Sequence, residues 1–101
     1  MATTETVSSA LIALRHPMRR EILRLIQERS SISPRELSEE LHGSLSNISY
    51  HVRVLVVCGA VQLVGAKPVR GSTEHFYKFT LEEDWALAVL DNDAESDRPS
   101  A

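Results

Sequence analysis

Residues 33–59 read SPRELSEELHGSLSNISYHVRVLVVCG, and their pattern decides the fold. Ser33 is placed to cap a helix, Pro34 suits its opening position, and Glu36 three residues later completes a capping box. Leu37 and Leu41 then repeat at i, i+4, and the helix is expected to stop at His42-Gly43, where glycine frees the backbone to turn. Ser44 caps a second helix, in which Leu45, Ile48, Val52, Leu55 and Val56 fall within a stripe of about 100°. The opposite face carries Ser46, Ser49, Tyr50 and Arg53, with Asn47 on its flank. Hydroxyls, an amide, a phenol and a guanidinium on one face suit the reading of base edges and the contacting of phosphates. Two short helices with a tight turn between them make a helix-turn-helix, and the second is the expected recognition helix of a DNA-binding protein.

Upstream, Val7, Ala10, Leu11 and Leu14 describe a short amphipathic first helix that must end before Pro17, while residues 1–6 are expected to be disordered. Pro17 opens a second helix in which Met18, Ile22, Leu25 and Ile26 fall at i, i+4, i+7 and i+8. Its other side, with Arg19, Arg20, Glu21, Arg24 and Glu28, reads as a solvated face in preference to a DNA contact.

Downstream, residues 60–66 and 74–80 are two short runs rich in β-branched or aromatic residues, joined by KPVRGST. Such a pattern predicts a β-hairpin. Beside a helix-turn-helix the hairpin is a wing, whose tip would present Lys67 and Arg70 to phosphates or the minor groove; an ordinary exposed turn is the alternative. A last helix follows over residues 81–90, with Thr80 as its cap and Glu82-Glu83 favouring its N-terminus. Leu81, Trp85, Ala88 and Val89 form one apolar stripe on it, and Ala86, Leu87 and Leu90 another. A helix apolar on two sides needs burial on both, and a two-fold homodimer supplies the second. Leu11, Leu87 and Leu90 are the expected dimerisation residues. The expected fold is mainly α with a small β-hairpin, a winged helix-turn-helix of order ααααββα. It occupies residues 7–90, with an acidic disordered tail over 91–101.

A chain of 101 residues with 43% apolar content can bury one core. Its net charge of −3 is unevenly spread. Residues 1–81 hold ten Lys/Arg against seven Asp/Glu, and residues 82–101 one against seven, so the body is weakly positive and the acid is C-terminal. Weak positive charge implies modest non-specific affinity for DNA. The opening MATTETVSS lacks the basic-then-apolar order of an export signal, and no run approaches the ~20 apolar residues of a membrane span. The single cysteine forms no internal disulfide. A soluble cytoplasmic protein without membrane association is expected.

Three segments together, ALRHPMRREILRLI, ELSEELHGSLSNISYHVRVLVVCGAV and RGSTEHFYKFT, resemble an ArsR-type winged-helix transcriptional regulator. The resemblance rests on Leu14, Pro17, Arg19 and Ile22-Leu23, on Ser49 and His51 in the recognition helix, and on the Cys58-Gly59 step into the wing. It implies a homodimer bound to inverted-repeat operator DNA, usually as a repressor. Metal-sensing members carry a cysteine pair before the recognition helix, or carboxylate and histidine ligands in the last helix. Here ELSEELH has no cysteine and LEEDWALAVLDND no histidine. His16, His42, His51 and His75 show no paired spacing either, so no metal or other cofactor is expected and the histidines read as structural. Gly43 replaces the usual apolar residue of the turn. Cys58 reads as a small buried hydrophobe rather than a redox switch. Neither Cys58 with a histidine nor Glu82-Glu83 suggests a catalytic cleft. The expected function is a sequence-specific regulator acting on double-stranded DNA, its effector unknown. The alternative is a protein-interaction module, favoured by the acidic balance and by Val54, Val56 and Val57.

Overall fold

The computed structural model describes residues 4–96, and side chains within residues 9–92. In chain order the elements are α1 (Thr4–Arg15), α2 (Pro17–Glu28), α3 (Pro34–Leu41), α4 (Leu45–Val57), β1 (Val61–Val69), β2 (Ser72–Phe79) and α5 (Asp84–Ser96). Ile22, Leu23 and Ile26 of α2 are fully buried and meet Leu37 of α3 and Ile48, Val52 and Leu55 of α4. Ala10, Ala13 and Leu14 of α1 and Ala86 and Leu90 of α5 close the core from the other side. The order is that of a winged helix-turn-helix.

Local chemistry explains most boundaries. Ser33 forms the full capping box with Glu36, with Pro34 at the opening position of α3. Ser44 caps α4 by accepting from the Asn47 amide. The turn between these helices works differently from the sequence expectation. His42, not Gly43, takes the left-handed conformation, at φ 54°. At Gly43 the backbone φ is not positive, and a Cβ there would meet Ile48 Cδ1 at 3.4 Å, an ordinary contact.

The hairpin is longer than expected. KPVRGST is not a loop, because the antiparallel register runs from Val61 opposite Phe79 to Val69 opposite Ser72, with one bulge between Leu63 and Gly65. Only Arg70 and Gly71 lie between the strands, at φ 45° and 82°. Two positive φ values in a two-residue loop match the twist of a hairpin, and only glycine adopts them freely. Lys67 therefore sits within β1 opposite Glu74, its ammonium 6.0 Å from the Phe76 ring, and the tip belongs to Arg70 alone. Ile32 also bridges Tyr77, each amide donating to the other's carbonyl at 3.1 and 3.0 Å, so the segment before α3 adds a third partner to the wing.

The terminal helices overrun their expected limits. Residues 4–6 and 91–96, expected to be disordered, belong to α1 and α5; residues 1–3 and 97–101 lie outside the described residues. No proline or glycine interrupts either helix. Thr80 does not cap α5. Its hydroxyl donates to the Gly59 carbonyl at 2.8 Å and fastens the end of the wing to the end of α4.

The two stripes of α5 are also exchanged. Leu90 is 1% exposed and Ala86 fully buried within the chain's own core, whereas Trp85 and Val89 are 36% and 38% exposed. Leu81 is buried but precedes the helix, so it does not set the phase of the helical stripe. Leu90 is thus withdrawn from any partner surface, and Leu87 is half-buried. Leu11 remains open at 55% and shares a surface groove with Leu14, Arg15, Trp85 and Val89.

Candidate nucleic-acid interface

The outer face of α4 carries the side chains named from sequence. Ser46, Asn47, Tyr50 and Arg53 are exposed, and Ser49 is half-buried. Ser44 is exposed too, but its oxygen is already engaged as the cap of α4. The inner face is closed by Ile48, Val52 and Leu55, which locks the rotation of the helix about its axis. Which side chains face outward is therefore settled by core packing rather than by their own preferences.

Between α4 and the wing runs a groove of about 500 Å³. Ser49 and Arg53 line it from α4, Arg35 from α3, and Glu74 and His75 from β2, over an apolar floor that includes Val52 and Tyr77. Arg70 stands at the wing tip, exposed. Arg53 and Arg70 thus flank the exposed polar face, with Arg35 behind. Lys67 lies further back on the hairpin, exposed, with its ammonium near the Phe76 ring.

The support for α4 comes from residues whose role the sequence does not announce. Arg19, read as part of a solvated face, is 8% exposed. Its guanidinium donates to the carbonyls of Ile12 at 2.8 Å and Ala13 at 3.4 Å, and lies 3.3 Å from His51 Nδ1. Arg20 donates to the carbonyls of Leu14 and Arg15 at 2.6 and 3.3 Å. The last turn of a helix leaves its carbonyls without intrahelical partners. Two arginines of α2 serve four of them in α1, and a cation there also complements the helix dipole. The pattern of two adjacent arginines just after a helix-ending X-Pro could have suggested this, but equally fits a solvated face.

His51 is 4% exposed on the inner side of the recognition helix. Arginine only donates, so His51 Nδ1 is the acceptor and its proton resides on Nε2. The His51 ring lies against His16 at 4.5 Å between centroids and edge-on to Tyr50 at 5.3 Å. Burial, and then the neighbouring His16 and Arg19, hold its pKa below the usual histidine value. His16 itself caps α2, its Nδ1 accepting from the Met18 amide at 3.0 Å. A chain of contacts therefore runs from the end of α1 through Arg19 and His51 to the exposed Tyr50.

Cys58, half-buried at the end of α4, packs against the core. Burial pushes its thiol up, against a smaller opposing effect of Arg19, which disfavours the reactive thiolate. Among the described residues, no three His, Cys, Asp or Glu side chains converge as a metal site would require. Nor is any described helix long and apolar enough to cross a membrane.

Comparison with known proteins agrees with this architecture. The family model described as "Helix-turn-helix domain" matches residues 14–61. Among solved structures, reduced HlyU from Vibrio cholerae N16961 superposes with a TM-score of 0.68 at 22% identity, covering 93% of this chain and 90% of that one. NolR from Sinorhizobium fredii gives 0.64 at 19%, covering 95% and 88%. An ArsR-like transcriptional regulator from Rhodococcus sp. RHA1 gives 0.59 at 26%, covering 90% and 72%. No curated protein sequence matches the chain. By its helix-turn-helix segment and its fold together, the chain is a winged helix-turn-helix protein similar to solved ArsR-type regulators.

Proposed function

We propose that this protein is a sequence-specific DNA-binding regulator of transcription, working in the cytoplasm as a homodimer on an inverted-repeat operator, most simply as a repressor. The observation that carries this reading is the exposed face of α4, with Ser46, Asn47, Tyr50 and Arg53, held beside a wing that ends in Arg70. Asn47 and Tyr50 have the donor and acceptor chemistry to read base edges, and Arg53 and Arg70 to hold phosphates. The similarity to the ArsR-like transcriptional regulator of Rhodococcus, at 26% identity, supports the same assignment. No side chain in this set needs a metal or a cofactor to act.

Dimerisation follows from size and charge. One helix offers four or five polar groups, too few for tight specific binding without a second copy. Two copies about a two-fold axis would place recognition helices about 34 Å apart, one turn of duplex. Leu11, Trp85 and Val89 form the surface that a second copy would cover, while Leu87, half-buried, projects from another side of α5.

The test is selection of binding sites from a random duplex pool by the purified full chain, followed by footprinting. A two-fold symmetric consensus supports the proposal, and recovery of no consensus overturns it. An interaction module remains the second reading because Val57 is 84% exposed beside the open side chain of Ile12. Under that reading any DNA binding would be weak and without sequence preference.

A further inference from the structure

A carboxylate stands in the groove between the recognition helix and the wing, where a polyanion is proposed to lie. Glu74 lines that groove with Arg35 and Arg53, and like charge facing phosphate weakens binding unless the group does something else. It has a partner that accounts for it. The hydroxyl of Ser33 donates to Glu74 Oε2 while its oxygen accepts from the Glu36 amide. The Ser33 backbone amide donates in turn to the Glu36 side chain at 3.1 Å. Ser33 is fully buried. One side chain thus closes the capping box of α3 and reaches across to β2.

We propose that Glu74 is a positioning residue for DNA binding, a latch that fixes the wing against the helix-turn-helix through Ser33. This rests on the reading of α4 and the wing as a DNA interface. A two-stranded hairpin has little stability of its own and takes its direction from what it is tied to. This wing is tied at its base by Thr80 to Gly59, and midway by the Ile32–Tyr77 bridge. The Ser33–Glu74 bond lies three residues beyond Tyr77 towards the tip, the last tie before Arg70. A hydrogen bond to an ionised acceptor is among the stronger single contacts available at such a place. Without it the tip has more orientations, and only the fraction with Arg70 directed along the duplex binds well.

Two variants separate this role from simple electrostatics, because the two effects have opposite sign. Glu74→Ala removes both the charge and the acceptor. Glu74→Gln removes the charge and keeps an amide oxygen that Ser33 can donate to. The latch predicts that Glu74→Ala lowers affinity for the selected duplex about tenfold. It predicts that Glu74→Gln retains wild-type affinity or exceeds it with an unchanged thermal midpoint, whereas Glu74→Ala, which leaves the buried Ser33 hydroxyl without its acceptor, stays folded with a lowered midpoint. Amide hydrogen exchange of Ile32 and Tyr77 in the free protein should be faster in Glu74→Ala and unchanged in Glu74→Gln. Equal or tighter binding by Glu74→Ala overturns the proposal, as do equal losses in both variants. If the wild-type chain binds no duplex, the DNA reading fails. The exchange measurement then still decides the latch, which falls if Glu74→Ala leaves both amides as protected as before.

Discussion

Replacing Arg19 with methionine should destabilise the domain by about 2–3 kcal/mol, although no apolar contact of the core is removed. Methionine keeps an unbranched stem of similar reach and deletes the guanidinium. Three contacts are lost: to the Ile12 carbonyl at 2.8 Å, to the Ala13 carbonyl at 3.4 Å and to His51 at 3.3 Å. A hydrogen bond from a charged donor contributes roughly 1.5–3 kcal/mol, and only the first of these has short geometry. The two longer contacts together add about one ordinary hydrogen bond, roughly 1 kcal/mol. Relief from burying a cation that is 8% exposed offsets part of the sum. With a urea m-value of about 1.5 kcal/mol/M for a domain of this size, the midpoint should fall by about 1.3–2 M. Urea titrations followed by circular dichroism, at one fixed protein concentration because association shifts the midpoint, would measure it. Arg19→Lys should lose about half as much, since a compact ammonium serves fewer of the three sites. A methionine variant whose midpoint stays within about 0.3 M of wild type would refute the claim that this guanidinium joins α1 to the recognition helix.

Acid should weaken the fold through His51. Its folded pKa lies below the usual value of about 6.5, so the unfolded chain takes up the proton first. The stability tied to this group is complete above about pH 6.5 and declines as pH falls towards the folded pKa; His51→Gln should remove up to about 1.4 kcal/mol per pH unit of that slope in urea titrations across pH 5–7. In binding titrations at several salt concentrations, Asn47→Ala or Tyr50→Ala should cost about 1–3 kcal/mol and relax preference at particular operator positions. Arg53→Ala and Arg70→Ala should instead weaken all duplexes and flatten the salt slope by about one unit each, and Lys67→Ala less, since Lys67 lies back over Phe76. Trp85→Glu with Val89→Glu should give a folded monomer in sedimentation that has lost operator affinity. Leu90→Glu should instead abolish the folded far-ultraviolet signal, because that side chain is 1% exposed in its own core. A double variant that stays dimeric moves the interface off α5.

Much of this was legible in local pattern. Capping by Ser33 and Ser44 depends on residues within three positions of each cap, so spacing alone reveals it. The outward face of α4 was readable for the same reason. Ile48, Val52 and Leu55 repeat at helical period, and whatever lies opposite them faces out. The wing was readable as a hairpin, but the length of its strands was not. Arg70 accepts a positive φ only because the register on either side imposes it, and no local preference of KPVRGST announces that.

Where two elements meet, the sequence was silent or misleading. Arg19 sits on the polar side of α2, and nothing within its own helix distinguishes a solvated arginine from one serving the carbonyls of α1. The difference lies in the angle at which α1 arrives. Leu81 misassigned the stripes of α5 for a related reason, since it is buried by tertiary contact while lying outside the helix. Ser33 and Glu74 are 41 residues apart, and only the return of the hairpin over α3 brings them together. Helical period and capping are short-range properties that a chain carries wherever it is placed. Which arginine is buried, which face of α5 stays open and what Glu74 touches depend on the docking of elements distant in sequence, and only the folded chain decides them.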